Sequence, residues 1–400
     1  MLAAGLIFLG TYLVLAIGHL PGFRVDRTGA AIIGASLMVG FDVLSLDDAF
    51  RSINYDTLIL LFGMMIVVAN LRLSGFFAAV GAWVVAHTHR PLALLVGIVL
   101  VAGVFSAFFV NDTMCLVLTP LVIEIVDRLR RNPVPYLLAL AMASNVGSVA
   151  TVTGNPQNML IASYSGIPYR TFLAWLAPVA LIGLGLTVLL IALAYQSEFS
   201  GTARMEITAR PVRLERGLLW KSVVAAGAMI VLFFVGWSAP KVAIVAGALL
   251  LITRRVNPEQ VYREIDWSLL VLFVGLFIVI AGVDRSPWAH DLEALATRLQ
   301  LEQVGVLSLF SAALSNLVSN VPAVLIFKPL VAHLANPSRA WLTLAMSSTL
   351  AGNLTLLGSV ANLIVVERAR PTVRIGFLEH LKVGAPLTIL TIGVGALWLR

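Results

Sequence analysis

Residues 144–158 read SNVGSVATVTGNPQN, and residues 348–362 read STLAGNLTLLGSVAN. Laid over one another without a gap, they share Ser144/Ser348, Thr151/Thr355, Gly154/Gly358 and Asn158/Asn362. Each is a polar, glycine-containing interruption of a longer apolar run, Leu137–Ala162 in one case and Trp341–Val366 in the other. In hydrocarbon, backbone that leaves the helix must find its hydrogen bonds inside the protein, so such interruptions persist only beside a cavity or a ligand. The two stretches therefore predict a helix broken inside a bilayer, present twice.

The rest of the chain supplies the bilayer context. Of 400 residues, 60% are apolar and 12% charged, with a mean hydropathy of +0.96. That is too little charge to coat a soluble protein of this size. Apolar runs recur from Leu2–Leu20 to Val383–Leu399, and their lengths approach the roughly 20 residues a helix needs to cross. The net charge of +7 sits in the short connections between runs, which fits positive-inside sorting and not nucleic-acid binding. The densest basic stretch, Arg204, Arg210, Arg213, Arg216 and Lys221, marks a cytoplasmic connector. The clusters Arg128, Arg130, Arg131 and Arg368, Arg370, Arg374 do not all fit one simple count of crossings. The single cysteine, Cys115, allows no disulfide framework or multi-cysteine metal site.

Two further matches support a duplication. Ile53-Asn54-Tyr55 with Gly63 downstream corresponds to Ile265-Asp266-Trp267 with Gly275, and Asn111 to Pro120 corresponds to Asn320 to Pro329. The expected architecture is all-α: a polytopic integral membrane protein with a first repeat over 1–195, a connector over 196–221 and a second repeat over 222–400. An odd number of crossings per repeat would invert the second.

Four polar clusters are the candidate site: Asn111-Asp112-Thr113; Ser144-Asn145 leading to Gly154-Asn155-Pro156-Gln157-Asn158; Ser319-Asn320; and Thr355 with Gly358-Ser359 and Asn362. Met114 to Val126 is short for a crossing, so it reads as the return arm of a re-entrant hairpin with Asn111, Asp112 and Thr113 at its tip. Ser319, Asn320 and Val321 would form a second tip. A broken helix offers free N–H groups with a positive dipole end for an anion, and free carbonyls for a cation. Charges at membrane depth usually pair or work, so Asp112 is expected to bind a coupling proton or cation. Lys328 is expected to pair with Asp112 or to face an anionic solute. Lone residues such as Ser106 and Thr187 are read as interhelical hydrogen-bonding groups. No phosphate-binding Gly-Lys-Ser/Thr loop or nucleophile elbow occurs in the sequence, which disfavours an ATP-driven pump or a protease.

At these residues the chain resembles the arsenite permease and citrate-transporter branch of the ion transporter superfamily, which also contains divalent anion/sodium symporters and a sodium/proton antiporter branch. The Gly154-Asn155-Pro156-Gln157-Asn158 block is the most specific part of the likeness. The resemblance implies inverted repeats, two re-entrant hairpins, broken helices at the midplane and a central solute site. It also implies a secondary transporter and no enzyme. A coupling sodium would be held at Asn111, Gly154, Asn155, Asn320 and Gly358. The symporters show Ser-Asn-Thr at both tips where this chain has Asn-Asp-Thr and Ser-Asn-Val, so the tips themselves lend no support to sodium coupling or dicarboxylate specificity. Expected partners are a small organic or inorganic anion and the lipid bilayer, with no nucleic acid and no cofactor beyond a coupling sodium ion or proton. A homodimer is allowed. Sodium/proton antiport is the alternative, and a channel or a scaffold ranks below it.

Overall fold

The computed structural model of the chain describes residues 2–20, 22–200, 213–252, 256–285, 298–331 and 334–400. The expected connector residues Arg204 and Arg210 lie outside these. The described residues are helical but for turns and one isolated β-bridge between His19 and Asp26. The first half holds α1 (Leu2–Ile17), α2 (Arg27–Gly40), α3 (Leu46–Ser52), α4 (Tyr55–Leu73), α5 (Phe76–His87), α6 (Pro91–Phe108), α7 (Asn111–Arg128), α8 (Pro133–Ser148), α9 (Pro156–Ser165), α10 (Tyr169–Ala194) and α11 (Gln196–Phe199). The second holds α12 (Arg216–Val235), α13 (Ala239–Leu251), α14 (Pro258–Arg263), α15 (Trp267–Asp284), α16 (Val304–Val318), α17 (Asn320–Val331), α18 (Pro337–Ala351), α19 (Val360–Ala369) and α20 (Phe377–Trp398). Six of these helices are long and apolar enough to cross a membrane. The second half starts its first helix at Arg216, inside the stretch expected as connector.

The direction of each half follows from what its helix ends touch. Arg131 after α7 pairs with Glu198 in α11 at 2.8 Å, and Arg72 at the end of α4 pairs with Glu264 after α14. The Ser74 carbonyl accepts from the Glu215 N–H at the start of α12. Tyr195 at the end of α10 bonds Glu379 at the start of α20. These contacts define one face. The opposite face holds Asn54 before α4 against Ser163 in α9, at 2.9 Å. It also holds Asp48 against Arg285 at 2.5 Å and Asp284 at the end of α15 against Lys328. Thus α4 and its counterpart α15 run in opposite directions, as do α10 and α20, and the repeats are inverted. Of the basic clusters, the described residues Arg213 and Arg216, Arg128, Arg130 and Arg131, and Arg368, Arg370 and Arg374 end up on the first face, hereafter the basic face. The hairpin explains why counting runs misleads: α6 goes in and α7 comes back without crossing.

The duplication is also visible where helices cross. Gly63 lets α4 press onto α13, and Gly275 lets α15 press onto α2. A Cβ at Gly63 would lie 2.5 Å from the Ala243 carbonyl carbon, and one at Gly275 2.7 Å from that of Ala31. Each half thus wedges a glycine against the other half's second helix. Asn54 and Asp266 accept from the backbone N–H three residues on and start α4 and α15 in the same way.

Candidate functional site

The two predicted breaks are present. Between α8 and α9 the chain leaves the helix, makes a 3₁₀ turn over Val152–Gly154 and restarts at Pro156; between α18 and α19 it turns over Leu356–Gly358 and restarts at Val360. Pro156 takes the first helical position, where its missing N–H costs nothing. Asn155 caps α9, its Oδ1 accepting from Asn158 N–H at 2.8 Å. Ser359 caps α19, accepting from Ala361 N–H at 3.2 Å. Asn158 Nδ2 donates to the Ser148 and Thr151 carbonyls at 3.0 and 2.9 Å, and Asn362 Nδ2 to those of Gly352 and Thr355 at 2.7 and 3.2 Å. The shared asparagines therefore satisfy the same carbonyls freed by each break. Gly154 is required for closeness, since a Cβ there would lie 2.1 Å from the Ser148 carbonyl oxygen.

Both hairpins are present too, α6 turning into α7 and α16 into α17. The first return arm is longer than expected, because α7 starts at Asn111 itself and absorbs the tip into its first turn. The links Val110 and Ser319, each just before the shared Asn, have φ of 22° and 79°, a conformation that costs a non-glycine residue about 1–3 kcal/mol. The strain is held by bonds to the breaks. Val110 N–H reaches the Thr153 carbonyl, and Thr151 Oγ1 the Ala107 carbonyl. In the second half Thr355 Oγ1 donates to Asn316 Oδ1 at 3.1 Å, and Ser315 Oγ to the Ser348 carbonyl at 2.9 Å.

Asn145 joins all of this. Its Oδ1 accepts from Asn111 Nδ2 and from Ser359 Oγ, both at 3.0 Å, and its Nδ2 donates to Asn353 Oδ1 and Asn362 Oδ1 at 2.9 and 3.1 Å. Thr349, its counterpart, accepts at Oγ1 from Asn155 and Gln157 of the first break at 3.2 and 3.0 Å. Ser144 Oγ bonds the Asn111 carbonyl at 3.1 Å and Ser106 Oγ at 2.7 Å. Each broken helix is thereby tied to the opposite half, and the N-termini of α7, α9, α17 and α19 meet in the middle, α7 against α19 and α17 against α9. Asn111 Oδ1 and Asn158 Oδ1 are buried without a hydrogen bond, leaving two amide oxygens uncommitted. Among the sodium candidates, the Asn155 amide oxygen is committed to its cap, and that of Asn320 competes with the Ser348 carbonyl for the Ser315 hydroxyl proton.

Lys328 is not with this cluster. It binds Asp284 at 3.1 Å and lies 5.1 Å from the centre of the Tyr164 ring, lining a cavity of about 360 Å³ on the opposite face with Arg51, Asn54 and Arg285. The expectation that it pairs with Asp112 fails, because Pro329 and the helix length carry Lys328 down the hairpin arm to the α15 end. Asp112 instead lies near the Ala361 N–H at the start of α19, and its counterpart is Val321. Thr113 is half-buried. Ser106 bridges two helices as expected, whereas Thr187 bonds its own helix at the Gly183 carbonyl. Thr349 and Asn353 belong to the second polar stretch read from the sequence, Ser348-Thr349 leading through Gly352-Asn353, though not to the expected site residues themselves. His380, whose Nε2 meets the Asn353 carbonyl at 3.0 Å, gave no sequence signal.

Inverted halves, two hairpins and facing helix breaks define a polytopic membrane transporter. The chain belongs to the citrate transporter family, whose model matches residues 12–351. It is 33% identical to the silicon efflux transporter LSI3 of Oryza sativa subsp. japonica, over 98% of this chain and 96% of that one. It is 27% identical to the putative transporter arsB of Dictyostelium discoideum, over 94% of this chain and 87% of that one. The fold is similar to that of the YdaH transporter of Alcanivorax borkumensis, with a TM-score of 0.63 at 16% identity, covering 100% of this chain and 96% of that one.

Proposed function

We propose that the chain is a secondary active transporter for a small, oxygen-rich solute, a di- or tricarboxylate or an oxyanion-like solute, driven by sodium or protons through alternating access. The convergence of four helix N-termini on one asparagine-rich centre carries this reading, since such ends favour anionic oxygens. With Lys328 engaged elsewhere, a fully ionised anion would have to be met by helix ends and a coupled cation alone. That favours a weakly ionised oxyacid or an anion carried with its cation. The citrate of the family's name and the silicon of LSI3 belong to oxygen-rich solutes of these two kinds. Proteoliposome flux of citrate, dicarboxylates, arsenite and silicic acid, under imposed sodium and pH gradients, tests the proposal. Saturable, gradient-driven uptake of one of them is expected; gradient-independent, unsaturable flux would make it a channel.

A second reading, sodium/proton antiport, is favoured by Asp112, a carboxylate at the start of α19. Asp112→Asn keeps the shape and an acceptor near the Ala361 N–H. If Asp112 carries the coupling ion, the variant folds normally and loses about tenfold or more in gradient-driven flux. The basic face is assigned to the cytoplasm by the excess of Arg and Lys in its loops.

A further inference from the structure

The second broken helix differs from the first at one buried place. Asn353, just past the end of α18, corresponds to Val149, which is fully buried. In the first half α10 buries Phe172 and Leu176 fully, and its Tyr169 hydroxyl meets Thr153 Oγ1 of the first break at 2.9 Å. Against Asn353, α20 instead places His380, 1% exposed. The position is thus a buried valine in one half and, in the other, a buried asparagine whose carbonyl meets a buried histidine. A buried polar group kept where an apolar one suffices calls for a role.

The pair is wired to the solute site. The Asn353 carbonyl can only accept, so His380 Nε2 donates to it, which fixes the neutral tautomer and leaves Nδ1 bare. The Asn353 side chain accepts from Asn145 and donates to the Met142 carbonyl at 3.3 Å. Asn145 in turn holds Asn111 of the first hairpin and Ser359 of the second break. One titratable group is thus two residues from a hairpin tip.

We propose that His380 is the proton-binding residue of the transport cycle, taking up a proton at Nδ1 from the basic face and biasing the Asn353–Asn145 link. This rests on the transport reading above. The carbonyls at the broken end of α18 favour an imidazolium, and the apolar surroundings oppose it. That balance changes when the break moves, and a group whose surroundings differ between two states couples protons to the transition. Access is short, because His380 lies in the first turn of α20. The ionisable neighbours are Glu379, Tyr195 at the end of α10, which bonds Glu379, and Lys382, 5.2 Å from the centre of the Tyr195 ring. Arg374 lies in the loop before α20; α16 carries no ionisable residue; α10 carries Tyr169, whose hydroxyl meets Thr153 Oγ1 of the first break at 2.9 Å, and Arg170, and α18 carries Arg339, all in first turns.

The test compares the full chain with His380→Gln, which keeps a donor for Asn353 without a titrating ring, and with His380→Leu. Uptake of citrate and of arsenite into proteoliposomes is measured with and without a pH gradient, and solute exchange is measured at equal pH. A gradient of about one pH unit corresponds to about tenfold accumulation per coupled proton, so the wild type should respond by about that factor. His380→Gln should lose the response and keep exchange within about twofold, which a merely structural hydrogen bond would not predict. A His380→Gln variant that retains the gradient response overturns the proposal and leaves the transport reading intact. If neither these probes nor dicarboxylates and silicic acid move in the wild type, the transport reading fails, and ¹⁵N-histidine NMR of the solute-free protein decides the proton site. A signal absent from His380→Gln whose Nδ1 titrates supports proton binding, and one that stays unprotonated throughout overturns it.

Discussion

At the scale of single residues, the centre is a set of amide groups with little slack. Asn145 uses both its oxygen and its nitrogen twice, so Asn145→Ala leaves partners in both halves unpaired. Each buried group so stranded costs about 1–3 kcal/mol. The variant should lose transport and melt well below the wild type in detergent, as scanning fluorimetry would show; an unchanged melting temperature would refute the hub. Asn158→Ala and Asn362→Ala free the same pair of carbonyls in each half and should destabilise by similar amounts. The sequence named both asparagines because identity across the repeat singled them out. It was silent on His380, since one histidine beside an apolar run carries no pattern.

At the scale of elements, helix crossings and hairpin arms decide what a residue does. Gly63→Val and Gly275→Val should each force apart an inter-half crossing, at a cost of about 1–3 kcal/mol apiece, read as matching losses in thermal stability. Lys328 shows the converse. Sequence places it in an apolar segment near a tip, but the helix carries it to Asp284. Lys328→Gln should therefore leave the KM for solute within about twofold in liposome assays, because it touches none of the central asparagines. A large rise in KM would return it to the site.

For the whole molecule, inversion sets what pH does to each face. On the face opposite the basic clusters, hydrogen bonding from Arg285 holds the Asp48 carboxyl down at about 2 from its usual 3.8. A carboxyl depressed on folding stabilises above the unfolded value and loses that contribution as pH falls through the folded one. The Asp48–Arg285 pair should thus be constant through neutrality and weaken only between about pH 4 and 2. Asp48→Asn should lower the melting temperature at neutral pH and abolish the further acid-side loss, which melting curves against pH would check. Any pH dependence of transport near neutrality must arise elsewhere.

Sequence alone determined that the chain is helical, lives in a bilayer, is duplicated and breaks two helices at shared Asn and Gly positions. Those features follow from local rules: hydrocarbon admits only satisfied backbone, and scarce polar residues repeated in register stand out against an apolar background. Which charges meet was decided by tertiary structure alone. Pairing depends on helix direction and on a hairpin that turns back before crossing, and neither leaves a trace in composition or spacing. The described basic loop residues came to share one face, Lys328 left the site, and Asn353 came to lie against His380 for that reason.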